Sequence, residues 1–166
     1  TLEEMQEAGV LEEFDEYAGS YVDTNGLIEY IVDALTDPRE TRSDICKPLY
    51  EEWKENGAKA AVDRYRSLLQ TSQPEYDFNE YILMSIGSKL YNRGLYQDSL
   101  EFLDGSLETY PDAEYGFYTH FLAAKASQKL SRFDMAAEHC RESLRLNPDF
   151  AQAASLMEEL SASAGR

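Results

Sequence analysis

The sequence has few residues that break helices and no long apolar run. Five prolines and nine glycines among 166 residues leave room for long uninterrupted helices. No segment reaches the run of about 18 apolar residues that a transmembrane helix needs, so none is expected. The two cysteines, Cys46 and Cys140, stand far apart without CxxC spacing or a His/Cys cluster of ligand type. We therefore expect no disulfide framework and no metal site, and we expect both cysteines to be small core residues.

Basic residues are scarce as well. The chain carries 15 Lys and Arg residues against 32 Asp and Glu residues, which gives a formal net charge of −17. Binding to nucleic acid or to an anionic membrane surface is not expected, because both partners require a cluster of positive charge. Residues 1–37 contain eleven acids and no Lys or Arg. This acidic segment fits a solvated helical surface or a region that attracts a basic partner.

Sequence motifs for catalysis are missing too. The chain has no GxSxG or SxxK motif, no P-loop and no GxGxxG fingerprint. The two histidines stand apart in the sequence, and we expect His120 to pack structurally and His139 to face solvent. Residues 23–26 resemble the start of a calcium loop, but Leu27 stands where an oxygen ligand is required, so we expect a simple turn. The sequence therefore predicts a protein that is not an enzyme and uses no metal or cofactor.

An internal repeat with an offset of 37 residues is the strongest positive signal. Similar residues recur at this offset in six pairs: Gly87 and Ala124, Tyr96 and Phe133, Ser99 and Ala136, Ser106 and Ser143, Leu107 and Leu144, and Pro111 and Pro148. Periods of about 20 to 50 residues are typical of solenoid proteins, in which each repeat is one supersecondary unit.

Each repeated position has a role in a hairpin of two helices. An apolar stripe at i, i+3 and i+7 runs along the first helix: Leu83, Ile86 and Leu90. Gly87 lies within this stripe, where the second helix must approach closely, and Ser99 is small enough to let the backbones cross. Gly94 is expected in the left-handed conformation that ends the first helix. Tyr96, and Phe133 in the second copy, are expected to fill the wedge between the helices.

Three hairpin units and a closing helix are expected after residue 43. The units cover about 44–74, 80–111 and 117–148, and a capping helix at 149–162 covers the apolar face of the last unit. Residues 1–43 do not match the repeat and are expected to form an acidic helical pair that packs on the solenoid. The sequence thus predicts an all-α fold, an α-solenoid of helix–turn–helix hairpins with an N-terminal helical pair and a C-terminal capping helix.

The packing positions of the two copies match the pattern of a known repeat: Leu83, Ile86, Gly87, Leu90, Gly94, Tyr96, Ser99 and Pro111 in one, and Ala124, Phe133, Ala136, Leu144 and Pro148 in the next. On these residues the segment 78–148 resembles the tetratricopeptide repeat family. The resemblance implies a concave groove that binds a peptide or a neighbouring domain. The first helix of each hairpin lines that groove, here with Tyr81, Met84, Ser88, Tyr91, Tyr118, Phe121, Lys125 and Gln128. Tyr50 and Trp53 are expected to extend this row.

Two readings of this groove remain open in the sequence. In one, its aromatic residues offer contact area to a partner; in the other, they pack under residues 1–40 and leave no open surface. Chaperone-binding members of the family carry Lys and Asn at the positions of Met84 and Ser88, so a co-chaperone function is not expected.

A narrower resemblance suggests a second function. Residues 57–65 and 76–80, within 46–160, are similar to the C-terminal helical region of some bacterial serine hydrolases and esterases. Our first hypothesis is a non-catalytic module for protein–protein interaction, and the alternative is a dimerisation or active-site-capping domain of such a hydrolase. The chain begins at Thr1 and is expected to be a fragment or a processed product. The sequence leaves open homo-oligomerisation, the identity of the partner, and a cytoplasmic or periplasmic location.

Overall fold

The computed structural model describes residues 44–72 and 75–164, and within these ranges the chain forms α-helices and no β-strand. The helices are α1 (Cys46–Asn56), α2 (Ala58–Thr71), α3 (Tyr81–Asn92), α4 (Tyr96–Thr109), α5 (Gly116–Lys129), α6 (Phe133–Leu146) and α7 (Ala151–Ala164). The predicted all-α repeat fold is confirmed. The expected N-terminal helical pair, with its turn at 23–26, lies outside the described residues.

Short turns close the three hairpins α1–α2, α3–α4 and α5–α6. Gly57 (φ 88°) and Gly94 (φ 79°) adopt positive φ angles at the first two turns, as predicted for Gly94. The equivalent residue of the third turn is Ser131, 37 positions after Gly94, and its φ is 59°. The backbone conformation of the turn is thus kept where glycine has been replaced, at the steric cost of a Cβ atom in the left-handed region.

Close contact between α3 and α4 depends on two small residues. A Cβ atom on Gly87 would lie only 2.7 Å from Cγ of Leu103. The hydroxyl of the fully buried Ser99 donates a hydrogen bond to the Gly87 carbonyl oxygen at 2.8 Å. Both observations agree with the close approach predicted for this crossing.

Neighbouring hairpins share an apolar core. Helix α5 packs against α4 and touches α3. In the same way, α7 packs against α6 and touches α5. The side chains buried between the second and third hairpins are Leu100, Leu103, Leu122, Ala123 and Ala126. The capping helix α7 buries Ala153, Leu156 and Leu160. It begins at Ala151 rather than at 149, because the amide of Phe150 is held in a turn by the Asn147 carbonyl at 3.2 Å.

The first hairpin joins the second through the two second helices, α2 and α4. Gly105 of α4 lies against Val62 of α2 so closely that an added Cβ atom would be 2.5 Å from Cγ1 of Val62. Beside this contact, Arg66 of α2 donates hydrogen bonds to the Gly105 carbonyl at 3.2 Å and to the Glu108 carboxylate at 2.7 Å. This junction leaves α1 and α3 separated by a cleft.

Two core assignments made from the sequence are wrong. Phe133 is 49% exposed and does not fill the wedge of its hairpin. In the preceding hairpin Tyr96 stacks on Tyr91 at 5.3 Å, but the residue 37 positions after Tyr91 is Gln128, so Phe133 has no aromatic partner at the equivalent place. Cys46, the first residue of α1, is exposed, whereas Cys140 is buried as predicted.

Candidate functional site

The eight candidate groove residues lie on one side of α3 and α5, the first helices of the second and third hairpins. The members on α3 are Tyr81, Met84, Ser88 and Tyr91, and those on α5 are Tyr118, Phe121, Lys125 and Gln128. Tyr81 is 40% exposed and the other seven are half-buried. A row of half-buried side chains along two packed helices presents area to a partner while its other side is anchored in the core.

Lys125 occupies the middle of the row, between two aromatic rings. Its Nζ atom lies 4.8 Å from the ring centroid of Tyr91 on α3 and 5.5 Å from that of Phe121 on its own helix. Within 44–72 and 75–164, Lys125 forms no salt bridge. The ring faces hold the ammonium group by cation–π attraction.

Phe150 forms the floor of the row at its α5 end, a role that the sequence did not reveal. Its ring contacts Phe117 at 5.0 Å, Phe121 at 5.2 Å and Tyr118 at 6.2 Å, with near-perpendicular planes. Edge-to-face contacts of this kind are favourable beyond the area that they bury. Tyr118 and Phe121 are therefore fixed in orientation by Phe150, which follows the Asn147–Pro148 pair in the link between hairpin and capping helix.

The capping helix supplies a further wall. A shallow depression between α5 and α7 is lined by Phe121, Lys125 and Gln128 on one side and by Gln152, Ser155, Leu156 and Glu159 on the other. The groove thus continues past the last hairpin onto α7, an extension that was not predicted. Any cover from residues 1–40 lies outside the described residues.

Tyr50 and Trp53 do not extend this row. They line a different cleft, together with Ile86 and Lys89 of α3. Successive helical residues are separated by about 100°, so Ile86 and Lys89 lie on the side of α3 opposite to Tyr91. The α2–α4 junction sets α1 against this opposite side of α3.

The two histidines, which stand 19 residues apart in the sequence, are in contact. Nδ1 of His120 on α5 lies 3.1 Å from Nδ1 of His139 on α6, and Nε2 of His139 lies 3.5 Å from the Asp104 carboxylate of α4. His139 does not face solvent, since its side chain is only 16% exposed. Burial lowers the pKa of His120 to about 4 and lowers the pKa of His139, and burial raises the pKa of Asp104 to about 6. The pair is therefore neutral at pH 7.

The described residues contain neither a metal site nor a membrane-spanning helix. In 44–72 and 75–164, no three His, Cys, Asp or Glu side chains are arranged to hold a metal ion. None of the helices described above has both the length and the apolar character that a bilayer span requires. No protein-family model matches the chain, and no curated protein matches it closely enough to indicate a relative.

Proposed function

We propose that the protein is a non-catalytic interaction module of the tetratricopeptide type, which binds a peptide segment of a partner protein in the groove formed by α3, α5 and α7. The observation that carries the proposal is the placement of Lys125 between Tyr91 and Phe121, where it is half-buried and forms no salt bridge with the described residues. A cation held in place on an aromatic surface is ready to receive an acceptor group from a ligand.

The composition of the groove supports a peptide rather than a small cofactor. Apart from Met84 and the central Lys125, the side chains of the row are aromatic or uncharged polar groups. The row crosses two repeats, and the depression at α5 and α7 is shallow. Tyrosine and phenylalanine provide large contact area at a low cost in side-chain entropy, and Ser88 and Gln128 add hydrogen-bonding groups. Because Phe150 holds Tyr118 and Phe121 in place, little ordering is required when a ligand binds.

The test is a selection of peptide ligands from a random library on the full chain, followed by affinity measurement with variants. Lys125→Glu should lower the affinity for the selected peptides by about tenfold or more, since it reverses the charge at the centre of the groove. Tyr81→Ala should lower this affinity by a smaller factor, because Tyr81 is at the exposed end of the row. Arg141→Glu on α6 is the matched control for charge, and it should leave affinity unchanged.

The proposal is rejected if Lys125→Glu and Arg141→Glu affect affinity equally, or if the selected peptides bind as well to both variants as to the unchanged protein. Circular dichroism of each variant confirms that the helices are intact before the affinities are compared.

A further inference from the structure

The cleft between α1 and α3 is an apolar surface separate from the groove. Its walls are Leu49 and Trp53 of α1 and Ile86 and Leu90 of α3, with Phe102 of α4 at its base. The cleft has a volume of about 170 Å³, below the roughly 300 to 1,000 Å³ of pockets that enclose a cofactor or a drug-sized ligand. Tyr50 stands at its edge and is 54% exposed. A space of this size suits one large apolar side chain from a partner.

Three cations border this apolar cleft in a chain whose net charge is −17. Lys89 and Arg93 line the α3 side, and Nζ of Lys54 on the α1 side lies 5.4 Å from the ring centroid of Tyr50. All three are exposed, and across the described helices and links none of them takes part in a salt bridge.

Two carboxylates beside the cleft accept hydrogen bonds from residues of its wall. Asp98 at the start of α4 accepts the indole N–H of Trp53 at 2.9 Å, which fixes the orientation of that ring. Asp44 accepts the backbone N–H of Cys46 at 2.8 Å. Since the three border cations form no salt bridge within the described residues, they can pair with acidic groups of a ligand.

We infer that this cleft docks an acidic amphipathic segment of a partner protein, with one large apolar side chain in the cleft and Asp or Glu residues against Lys54, Lys89 and Arg93. The apolar walls supply the affinity and the border selects the sign of the partner's charge. The inference does not depend on the groove proposed above, because the two surfaces lie on opposite sides of α3.

The chain offers a built-in reporter for this docking. Trp53 is the single tryptophan of the protein and lies in the cleft wall, so its fluorescence responds to an apolar side chain that displaces water from the cleft. The probe is a synthetic amphipathic helical peptide with leucines at i, i+3, i+4 and i+7 flanked by glutamates. A peptide with the same leucines flanked by lysines is the control for charge.

We expect the acidic peptide to shift the emission of Trp53 in a saturable way, and the basic peptide to bind at least about fivefold more weakly. Lys89→Glu/Arg93→Glu should reverse this preference. The matched control Arg64→Glu/Arg141→Glu, at exposed positions on α2 and α6, should keep it. Lys125→Glu should also keep it, which separates the docking in this cleft from binding in the groove.

Cross-linking at Cys46 provides a second measurement. Cys46 lines the cleft and is exposed, whereas Cys140 is buried, so an acidic peptide with a chloroacetyl group should label Cys46 alone. Partial desolvation of the sulfur atom, followed by the negative charge of Asp44, raises the pKa of the Cys46 thiol, so the reaction requires mildly alkaline buffer. The inference is overturned if the acidic peptide changes neither Trp53 emission nor labelling, if the basic peptide performs equally well, or if Lys89→Glu/Arg93→Glu has no effect.

Discussion

The hydroxyl of Ser99 donates a hydrogen bond to the carbonyl of Gly87 at the point where α3 and α4 cross. The same glycine has no room for a side chain, because a Cβ atom would lie 2.7 Å from Leu103. The two residues together hold the helices at the distance that buries Leu83 and Leu103 completely.

Gly87→Ala is expected to destabilise the protein by about 1 to 3 kcal/mol, since the added methyl group forces Leu103 out of its position. Gly116→Ala is the matched control, because a Cβ atom there would meet Leu146 at an ordinary 3.5 Å. Urea unfolding of both variants measures the difference. If Gly116→Ala lowered the free energy of unfolding as much as Gly87→Ala, the close crossing of α3 and α4 would be contradicted.

Gly105→Ala tests the junction between α2 and α4 in the same way. The new methyl group would overlap Val62, so we expect the free energy of unfolding to fall by about 1 to 3 kcal/mol. Val62→Ala alone removes apolar contacts and is expected to cost about 1 to 3 kcal/mol.

The double variant Val62→Ala/Gly105→Ala should be destabilised by less than the sum of the two single variants, because alanine at position 62 makes room for the methyl group at position 105. A double-mutant cycle from urea unfolding gives this coupling. Strict additivity would show that Val62 and Gly105 do not meet.

Substitutions at the turn residues Gly94 and Ser131 should change the stability of the protein in opposite directions. Both have positive φ angles, which cost an L side chain about 1 kcal/mol. Gly94→Ala should therefore lower stability by about 1 kcal/mol, and Ser131→Gly should raise it by about 0.5 to 1 kcal/mol. Thermal unfolding of the two variants is the measurement, and a destabilised Ser131→Gly would argue against the left-handed turn at that position.

Stability should fall on acidification because of His120. Burial lowers its folded-state pKa from 6.5 to about 4, so the unfolded chain binds the proton first as pH falls from about 6.5 to 4. Between pH 6.5 and pH 4 the free energy of unfolding is expected to fall by about 1 to 2 kcal/mol, a value reduced to allow for the partial solvent exposure of His120. His120→Gln, which does not titrate, should show a smaller fall in urea midpoint between pH 7 and pH 4.

Asp104 acts with the opposite sign in the same window. Burial raises its pKa from 3.8 to about 6, so the folded state gains stability as Asp104 takes up a proton below that value. Asp104→Asn removes this gain and should make the loss on acidification steeper than in the unchanged protein. A shallower loss in Asp104→Asn would contradict the assigned directions.

Positions defined by the repeat and by the stereochemistry of the turns were predictable from the sequence, whereas contacts between side chains that no pattern relates were not. The apolar stripe of α3, the left-handed Gly94 and the close approach at Gly87 follow from local spacing and from the stereochemistry of glycine. The contact of His120 with His139 joins two helices at a separation of 19 residues, and no motif marks it. The role of Phe150 was missed because it stands in a link, where no helical period applies.

The repeat pattern also failed where one copy lacks the partner of the other. Tyr96 has Tyr91 to stack on, and Phe133 has only the polar Gln128 at the corresponding place, so the same turn position is half-buried in one hairpin and exposed in the next. The position of α1 could not be read from the pattern either, since it depends on how Val62 and Gly105 join α2 to α4.

Helix α3 separates the groove from the cleft. A helix with its side chains is about 10 Å across, so molecules seated on the two sides would be neighbours that share one wall. Any substitution that tilts or rotates this wall alters both sides at once, and the effect of a variant of a fully buried residue such as Leu83 cannot be assigned to either surface. Only its outward side chains, for example Tyr81 on one side and Lys89 on the other, distinguish the two.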